Sequence, residues 1–196
     1  MKIAIIDYGA SNLQSVANAL TTLGRSFEII DDPKKLTGFD KVILPGVGAA
    51  ASTMEKLIKS GFTEILPKLK VPTLGVCLGL QLFADYSEEG NVKCLSIIPG
   101  MVKKFQTELK VPHMGWNKLE FIKKSSWFNG IDDIPYFYFV HSYFVTCHDK
   151  NDVLATTFYD HDFVSVINRE NIFGVQFHTE KSHQQGIRLL HNFCNL

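Results

Sequence analysis

The stretch Pro72-Thr-Leu-Gly-Val-Cys-Leu-Gly-Leu-Gln81 decides the fold. Residues 71–76 read as a strand, which passes without a spacer into Gly75-x-Cys77-x-Gly79 and a helical pattern over 78–86. The same strand-to-helix order runs through the whole first half. Residues 2–7 form a dense apolar run, the mark of a strand buried on both faces. Leu13, Val16, Ala17, Leu20 and Leu23 recur at helical spacing over 12–23, and Gly24 stops that helix. Residues 27–30 and 41–44 are further strands, and 50–60 is a helix with Met54, Leu57 and Ile58 on one face and Gly61 at its end. This alternation predicts an α/β fold with a central, mostly parallel sheet, right-handed crossovers and helices on both faces.

The second half reads differently. Residues 96–105, 117–122, 137–147, 153–158, 163–168 and 172–177 are strand-like and lie too close together for intervening helices. Antiparallel additions to the sheet are therefore expected. A helix over 182–195 closes the chain, with Ser182 and Gln185 at capping-box spacing and Ile187, Leu190 and Phe193 as its inner stripe. No repeat, low-complexity tract or linker interrupts the order, so residues 1–196 read as a single domain.

Composition narrows the function. Of 196 residues, 45% are hydrophobic and 20% charged, which is ordinary for a globular protein and excludes disorder or a disulfide scaffold. Twenty basic residues offset twenty acidic ones, so the field needed to hold a nucleic-acid backbone is missing. Zero net charge is poor for keeping a protein monomeric and hints at a partner. No apolar run has the length of a membrane span, and the N-terminus lacks the form of a signal peptide. Cys77, Cys94, Cys147 and Cys194 show no C-x-x-C spacing, so neither a zinc site nor any other metal or cofactor is expected. They read as reduced thiols in the cytoplasm.

The chemistry centres on Cys77. Gly75-x-Cys77-x-Gly79 between a strand and a helix has the form of a nucleophile elbow with cysteine in place of serine. The turn lifts the thiol above the sheet edge at a helix start, where the dipole favours a thiolate. The Leu78 amide, next in the chain, is placed to donate to an oxyanion. The competing reading is a buried cysteine between two packing glycines. Of the seven histidines, His178 ends the apolar run Ile172-Phe-Gly-Val-Gln-Phe177 and so sits at a strand end, where α/β sites gather. Glu180 lies two residues on, and in extended chain both side chains project to one side. The carboxylate can then orient the imidazole, giving a Cys77–His178–Glu180 triad. Leu44-Pro-Gly-Val-Gly-Ala49 leaves a strand for a helix, and Gly46 and Gly48 allow backbone amides close to a substrate. A plain βα turn and a phosphate loop are its rivals, and the lysine and Ser/Thr of a P-loop are missing. His141-Ser142 is no self-activated pair, because neighbours on a strand point to opposite faces. Substrate contact or strand packing suits Ser142 better.

These residues resemble the class I, triad-type glutamine amidotransferases, a flavodoxin-like α/β family, and in particular the glutaminase subunits of imidazole glycerol phosphate synthase. The likeness covers nearly the whole chain. It runs through Ile6-Asp-Tyr-Gly9 with Ser11-Asn-Leu13, Pro45-Gly-Val-Gly48, Gly75-Val-Cys-Leu-Gly-Leu-Gln81, Pro112-His-Met-Gly-Trp-Asn117, Tyr138-Phe-Val-His-Ser-Tyr143 and Gly174-Val-Gln-Phe-His-Thr-Glu-Lys-Ser182. It implies hydrolysis of glutamine to glutamate and ammonia through a γ-glutamyl thioester on Cys77. The ammonia would pass to a (β/α)₈ cyclase on a separate chain, making imidazole glycerol phosphate and an aminoimidazole carboxamide ribotide on the route to histidine. It further implies that Gly46, Val47, Gly48, Leu78, Gln81, Ser142 and Tyr143 surround the glutamine. The Gly46-Val47 amide would complete the oxyanion site only when the partner signals. Asn12, Trp116, Tyr138 and Lys181 would lie toward the cyclase.

Two positions depart from the family pattern. Thr179 stands where proline is usual, and Ala50 and Ala51 follow Ala49 where an aromatic is common. Threonine is expected to take an extended backbone and keep the chemistry. A paralogous glutaminase serving another synthase, such as a surface-sugar amidotransferase, is the alternative.

Overall fold

The computed structural model describes residues 1–9 and 13–196. Its strands, in chain order, are β1 (Ile3–Ile6), β2 (Phe27–Ile30), β3 (Lys41–Leu44), β4 (Thr73–Val76), β5 (Tyr86–Ser87), β6 (Val92–Lys93), β7 (Gly100–Lys104), β8 (His113–Lys118), β9 (Glu120–Phe121), β10 (Tyr136–His141), β11 (Tyr143–Cys147), β12 (Val153–Tyr159), β13 (His161–Arg169) and β14 (Ile172–Val175). The α-helices are α1 (Leu13–Thr22), α2 (Ala50–Ser60), α3 (Phe62–Ile65), α4 (Leu78–Gln81) and α5 (His183–Cys194).

The main sheet has eight strands in the order β2-β1-β3-β4-β14-β13-β12-β9. The block from β2 to β14 is parallel, and β13, β12 and β9 continue it antiparallel. Alternation along β1 divides the interior in two. Ile3 and Ile5 pack into a core with α1 and α5 through Val16, Leu20, Leu190 and Phe193. Ala4 and Ile6 face the other way, into a core with α2 and α3 through Met54, Leu57 and Phe62. The sheet is thus covered on both faces, as a parallel sheet must be.

Three expectations change. Residues 172–177 do not supply an antiparallel addition, because β14 enters beside β4 and pairs with it in parallel, Val175 opposite Val76. That pairing, made across a long stretch of intervening chain, brings the ends of β4 and β14 together. Residues 137–147 do not form one strand. The run breaks at Ser142, with β10 pairing β8 and β11 pairing β7 in separate sheets. The helix expected over 78–86 ends as an α-helix at Gln81.

Candidate active site

Cys77 links β4 to α4 with φ 54 and ψ −110. A non-glycine residue in that region is strained by about 1–3 kcal/mol and persists only where its surroundings hold it. Here the Cys77 amide donates to the Val175 carbonyl at 2.8 Å, locking the turn to β14. The flanking glycines make room for it. A Cβ on Gly75 would meet Phe83 and Gly79, one on Gly79 would run into the Leu44 carbonyl, and one on Gly46 would strike the Gly79 amide. Gly46 therefore lets two loops touch, whereas Gly48, at φ +103, is the glycine whose backbone conformation is special. The elbow is present, and its thiol is 7% exposed.

His178 stands just beyond β14, its ring within hydrogen-bonding reach of the Cys77 thiol. Its Nδ1 meets Glu180 Oε1 at 2.8 Å, with both side chains almost wholly buried. Glu180 reaches the ring by a route other than extended chain. Thr179–Lys181 is a turn of 3₁₀ helix, and His178 is its N-cap residue. Glu180 Oε2 has no hydrogen-bond partner among the described residues. Burial opposes charge on His178, but the hydrogen bonds and charges of Cys77 and Glu180 outweigh it and lift its pKa to about 10. The expected capping box is also absent. Ser182 makes no side-chain cap to α5; its hydroxyl donates to the His178 carbonyl at 2.6 Å and accepts the Tyr138 amide at 2.9 Å. The Gln185 carbonyl oxygen takes the Asp132 amide. Ser182 thus fixes the backbone of His178 to β10.

Cys77 and His178 open on a cavity of about 260 Å³, lined also by Gly46, Val47, Gly48, Leu78, Gln81, Ser142 and Tyr143. All the residues that sequence placed around the glutamine meet here. Ser142 lies at the break between β10 and β11, the irregularity that opens the cavity wall. Glu89, in the turn after β5, also lines it and had no motif to reveal it. One of its carboxylate oxygens accepts the Ala50 amide at the start of α2, at 2.8 Å. A Cβ on Gly90 would lie 2.6 Å from the Ala51 Cβ, so the small Ala50-Ala51 pair lets this turn close onto α2. Beneath the Pro45–Gly48 loop, the buried Tyr8 hydroxyl donates to the Pro45 carbonyl at 3.0 Å. Burial pushes its pKa up to about 12, while hydrogen bonds from the Val47 backbone and the Thr53 side chain to the same phenol pull the other way.

From His141 in the cavity wall a chain of neutral rings runs inward. The Tyr143 carbonyl can only accept, so His141 Nδ1, 2.8 Å away, carries the proton. His141 Nε2 then accepts from His113 Nδ1 at 3.0 Å, and His113 Nε2 from the Asn117 amide at 3.2 Å. Burial lowers the His113 pKa to about 4. For His141 burial outweighs the Tyr143 bond, and His113 and His178 push the same way, down to about 3.

The profile of the family described as glutamine amidotransferase class-I matches residues 4–195. The chain belongs to that family. Among relatives of this class-I glutamine amidotransferase, the imidazole glycerol phosphate synthase subunit HisH of Leptospira borgpetersenii is 44% identical over 99% of this chain and all of its own length. The HisH subunit of Moorella thermoacetica is 47% identical over 99% of this chain and 94% of its own. A solved glutamine amidotransferase from Thermotoga maritima shares the fold, with a TM-score of 0.68 at 18% identity over all of this chain and 83% of that one.

The amidotransferase presents an aromatic face beside its cavity. In the β8–β10 ladder, Tyr138 pairs Trp116 and Val140 pairs Met114. Alternation turns Phe137, Phe139, His113 and His141 inward and leaves Met114, Trp116 and Tyr136 exposed. Trp116 stacks on His183 at 5.0 Å and meets Tyr138 edge-on at 6.0 Å. Lys181 is exposed on the neighbouring turn. Asn12, expected on the same side, lies outside the described residues. Among the described residues no His/Cys/Asp/Glu group could hold a metal ion, and no helix is long and apolar enough to cross a membrane.

Proposed function

We propose that this amidotransferase is the glutaminase subunit of an imidazole glycerol phosphate synthase, with Cys77, His178 and Glu180 as its triad. What carries the reading is the convergence of Cys77 and the His178–Glu180 pair on one cavity, in a chain 44% identical to a HisH subunit.

The Cys77 thiol gives its proton to His178 Nε2, since Nδ1 faces Glu180. The thiolate attacks the side-chain carbonyl carbon of glutamine, and the oxyanion accepts from the Leu78 amide. Collapse breaks the C–N bond, and ammonia leaves with the proton from His178. Water, losing a proton to the same ring, then hydrolyses the γ-glutamyl thioester to glutamate and restores the thiol. Glu89 and Gln81 also line the cavity, and the Glu89 carboxylate is matched to the substrate's α-ammonium group.

The partner is a (β/α)₈ cyclase subunit docked on Trp116, Tyr138 and Lys181, and the complex works in the cytoplasm. The whole of residues 1–196 serves as one domain. The Val47 amide is the second oxyanion donor, brought to bear only when the partner and its ligand are in place. A missing donor costs about 10²–10³ in rate.

The test is synthesis by the chain mixed with a cyclase subunit, using glutamine or added ammonia. Cys77→Ala is expected to abolish the glutamine-dependent reaction and leave the ammonia-dependent one. Glutaminase activity is expected to rise strongly with cyclase and its ligand. Full activity of the lone subunit, or ammonia delivered only to a surface-sugar amidotransferase, would overturn the reading.

A further inference from the structure

Gln176 lies on the segment from β14 to His178, is fully buried, and is not among the residues lining the cavity. An uncharged amide carried one residue past a strand end, with no access to substrate, would ordinarily be a packing residue. Its hydrogen bonds point elsewhere. Gln176 Nε2 lies 3.7 Å from Cys77 Sγ, and Gln176 Oε1 lies 3.0 Å from Gln81 Nε2. Gln81 Nε2 is in turn 2.8 Å from the Tyr143 carbonyl oxygen.

The orientation of both amides follows from chemistry. A backbone carbonyl oxygen can only accept, so the Tyr143 end fixes the nitrogen of Gln81 toward it. The second hydrogen on that nitrogen then requires an acceptor, which must be the oxygen of Gln176. That leaves the Gln176 nitrogen facing the sulfur. The same Tyr143 carbonyl also accepts from His141, so the anchor of the chain is held twice. The sulfur's other polar neighbours are His178 and the Val140 carbonyl, 3.9 Å away, which can accept from a thiol but cannot stabilise a thiolate.

We propose that Gln176 is a catalytic residue of this site: its amide N–H donates to the sulfur of Cys77 and selectively stabilises the thiolate, with Gln81 as the residue that orients it. When the thiol proton moves to His178 Nε2, the charge left on sulfur turns a weak N–H···S contact into a charge-assisted one. The same bond favours the thiolate again as leaving group when the thioester is hydrolysed. The donor acts from inside the protein, so it needs no partner and no substrate to be in place. The inference rests on Cys77 being the nucleophile, but its readout does not require glutamine.

The test is the pH dependence of Cys77 alkylation by iodoacetamide, followed by mass spectrometry of the Cys77 peptide in the full chain. The titratable groups facing the site are His178, with Glu180 behind it, and His141, Tyr8 and Glu89; all remain unchanged. Gln176→Met keeps the volume and removes the donor, and Gln176→Glu keeps the acceptor for Gln81 and replaces the donor. Both are expected to move the alkylation midpoint up by about one pH unit and to slow alkylation below it about tenfold, the size of a charge-assisted hydrogen bond. A residue that only packs would change thermal stability and leave the midpoint in place, and that result would overturn the proposal. The unsubstituted protein gives a second readout that does not depend on a variant folding. The Gln176 side-chain amide proton resonance is expected to titrate with the same midpoint as the Cys77 thiol. A resonance that stays fixed across that range would equally refute it. A midpoint shift in a chain that proves unable to hydrolyse glutamine would uphold the role of Gln176 and sink the glutaminase reading instead.

Discussion

Replacing Glu180 by glutamine isolates what its charge does. The side chain is buried, 2.8 Å from His178 Nδ1, and a glutamine in its place could still accept that hydrogen bond through its carbonyl oxygen. What is lost is the anionic character of the acceptor. A hydrogen bond to a charged group contributes about 1.5–3 kcal/mol and a neutral one about 0.5–1.5, so the change removes about 1–1.5 kcal/mol. At tenfold per about 1.4 kcal/mol, kcat should fall about 5–15-fold. His178→Ala removes the proton carrier itself and should cost about 10²–10⁴. The two variants also differ in pH behaviour. Glu180 is one of the groups that raise the His178 pKa, so Glu180→Gln should move the alkaline limb of the kcat profile to lower pH. The assay is steady-state glutamate release across pH, with the cyclase and its ligand at saturation. A Glu180→Gln variant as dead as His178→Ala would mean that the carboxylate handles the proton. One indistinguishable from the parent in kcat and profile would mean that it does not orient the ring.

Glu89→Gln should raise KM for glutamine by about tenfold or more and change kcat little, because the carboxylate lines the cavity, where we assign it the substrate ammonium and no part in the chemistry; an unchanged KM would remove it from the binding site. Thermal stability should peak near pH 6.5. Below that value the unfolded chain protonates His113 and His141 while the folded chain holds them neutral down to about 4 and about 3, so stability is lost as pH falls. Above it the raised pKa of His178 works the other way: its contribution is complete below 6.5 and decays as pH climbs toward about 10. A flat melting profile between pH 4 and 6.5, set by about the ordinary histidine range, would contradict the burial of the ring pair. Thr179→Pro should leave turnover unchanged and raise stability by about 0.4–1 kcal/mol. Thr179 opens a 3₁₀ turn where an N–H is dispensable, and His178 before it is already extended at ψ 103; loss of turnover would show that the turn must flex.

Much of this was legible in the chain because local rules produce it. Glycines two residues either side of Cys77 announce a turn that only small residues permit, and the turn is there. His178 could be placed at a strand end from the apolar run before it. Glu180 meets the ring as its spacing predicts but through a tight turn rather than a strand, since one turn of 3₁₀ helix satisfies the same spacing. Ser182 shows the limit of a spacing rule. Its hydroxyl had a helix to cap and bonded His178 and Tyr138 instead, a choice set by β10 arriving from far along the sequence. The break at Ser142 was invisible because apolar alternation continues on both sides of it. Nothing local marks β14 as parallel, or Tyr8, Glu89 and Gln176 as site residues. Each acquires its role from a partner tens of residues away, Gln176 from a sulfur 99 positions earlier.

Cys77 alone is proposed as the nucleophile of a glutaminase. Cys94 and Cys147 lie outside the cavity, and burial pushes their thiols up to about 11 and about 12; burial likewise raises that of Cys194. The most direct measurement is to treat the intact chain, with and without excess glutamine, with a glutamine-derived electrophile and to map the adduct by peptide mass spectrometry. One adduct is expected, on Cys77, that glutamine suppresses and that His178→Ala slows. An adduct on Cys94, Cys147 or Cys194 that accompanies inactivation, or labelling of Cys77 that glutamine does not suppress, would contradict it.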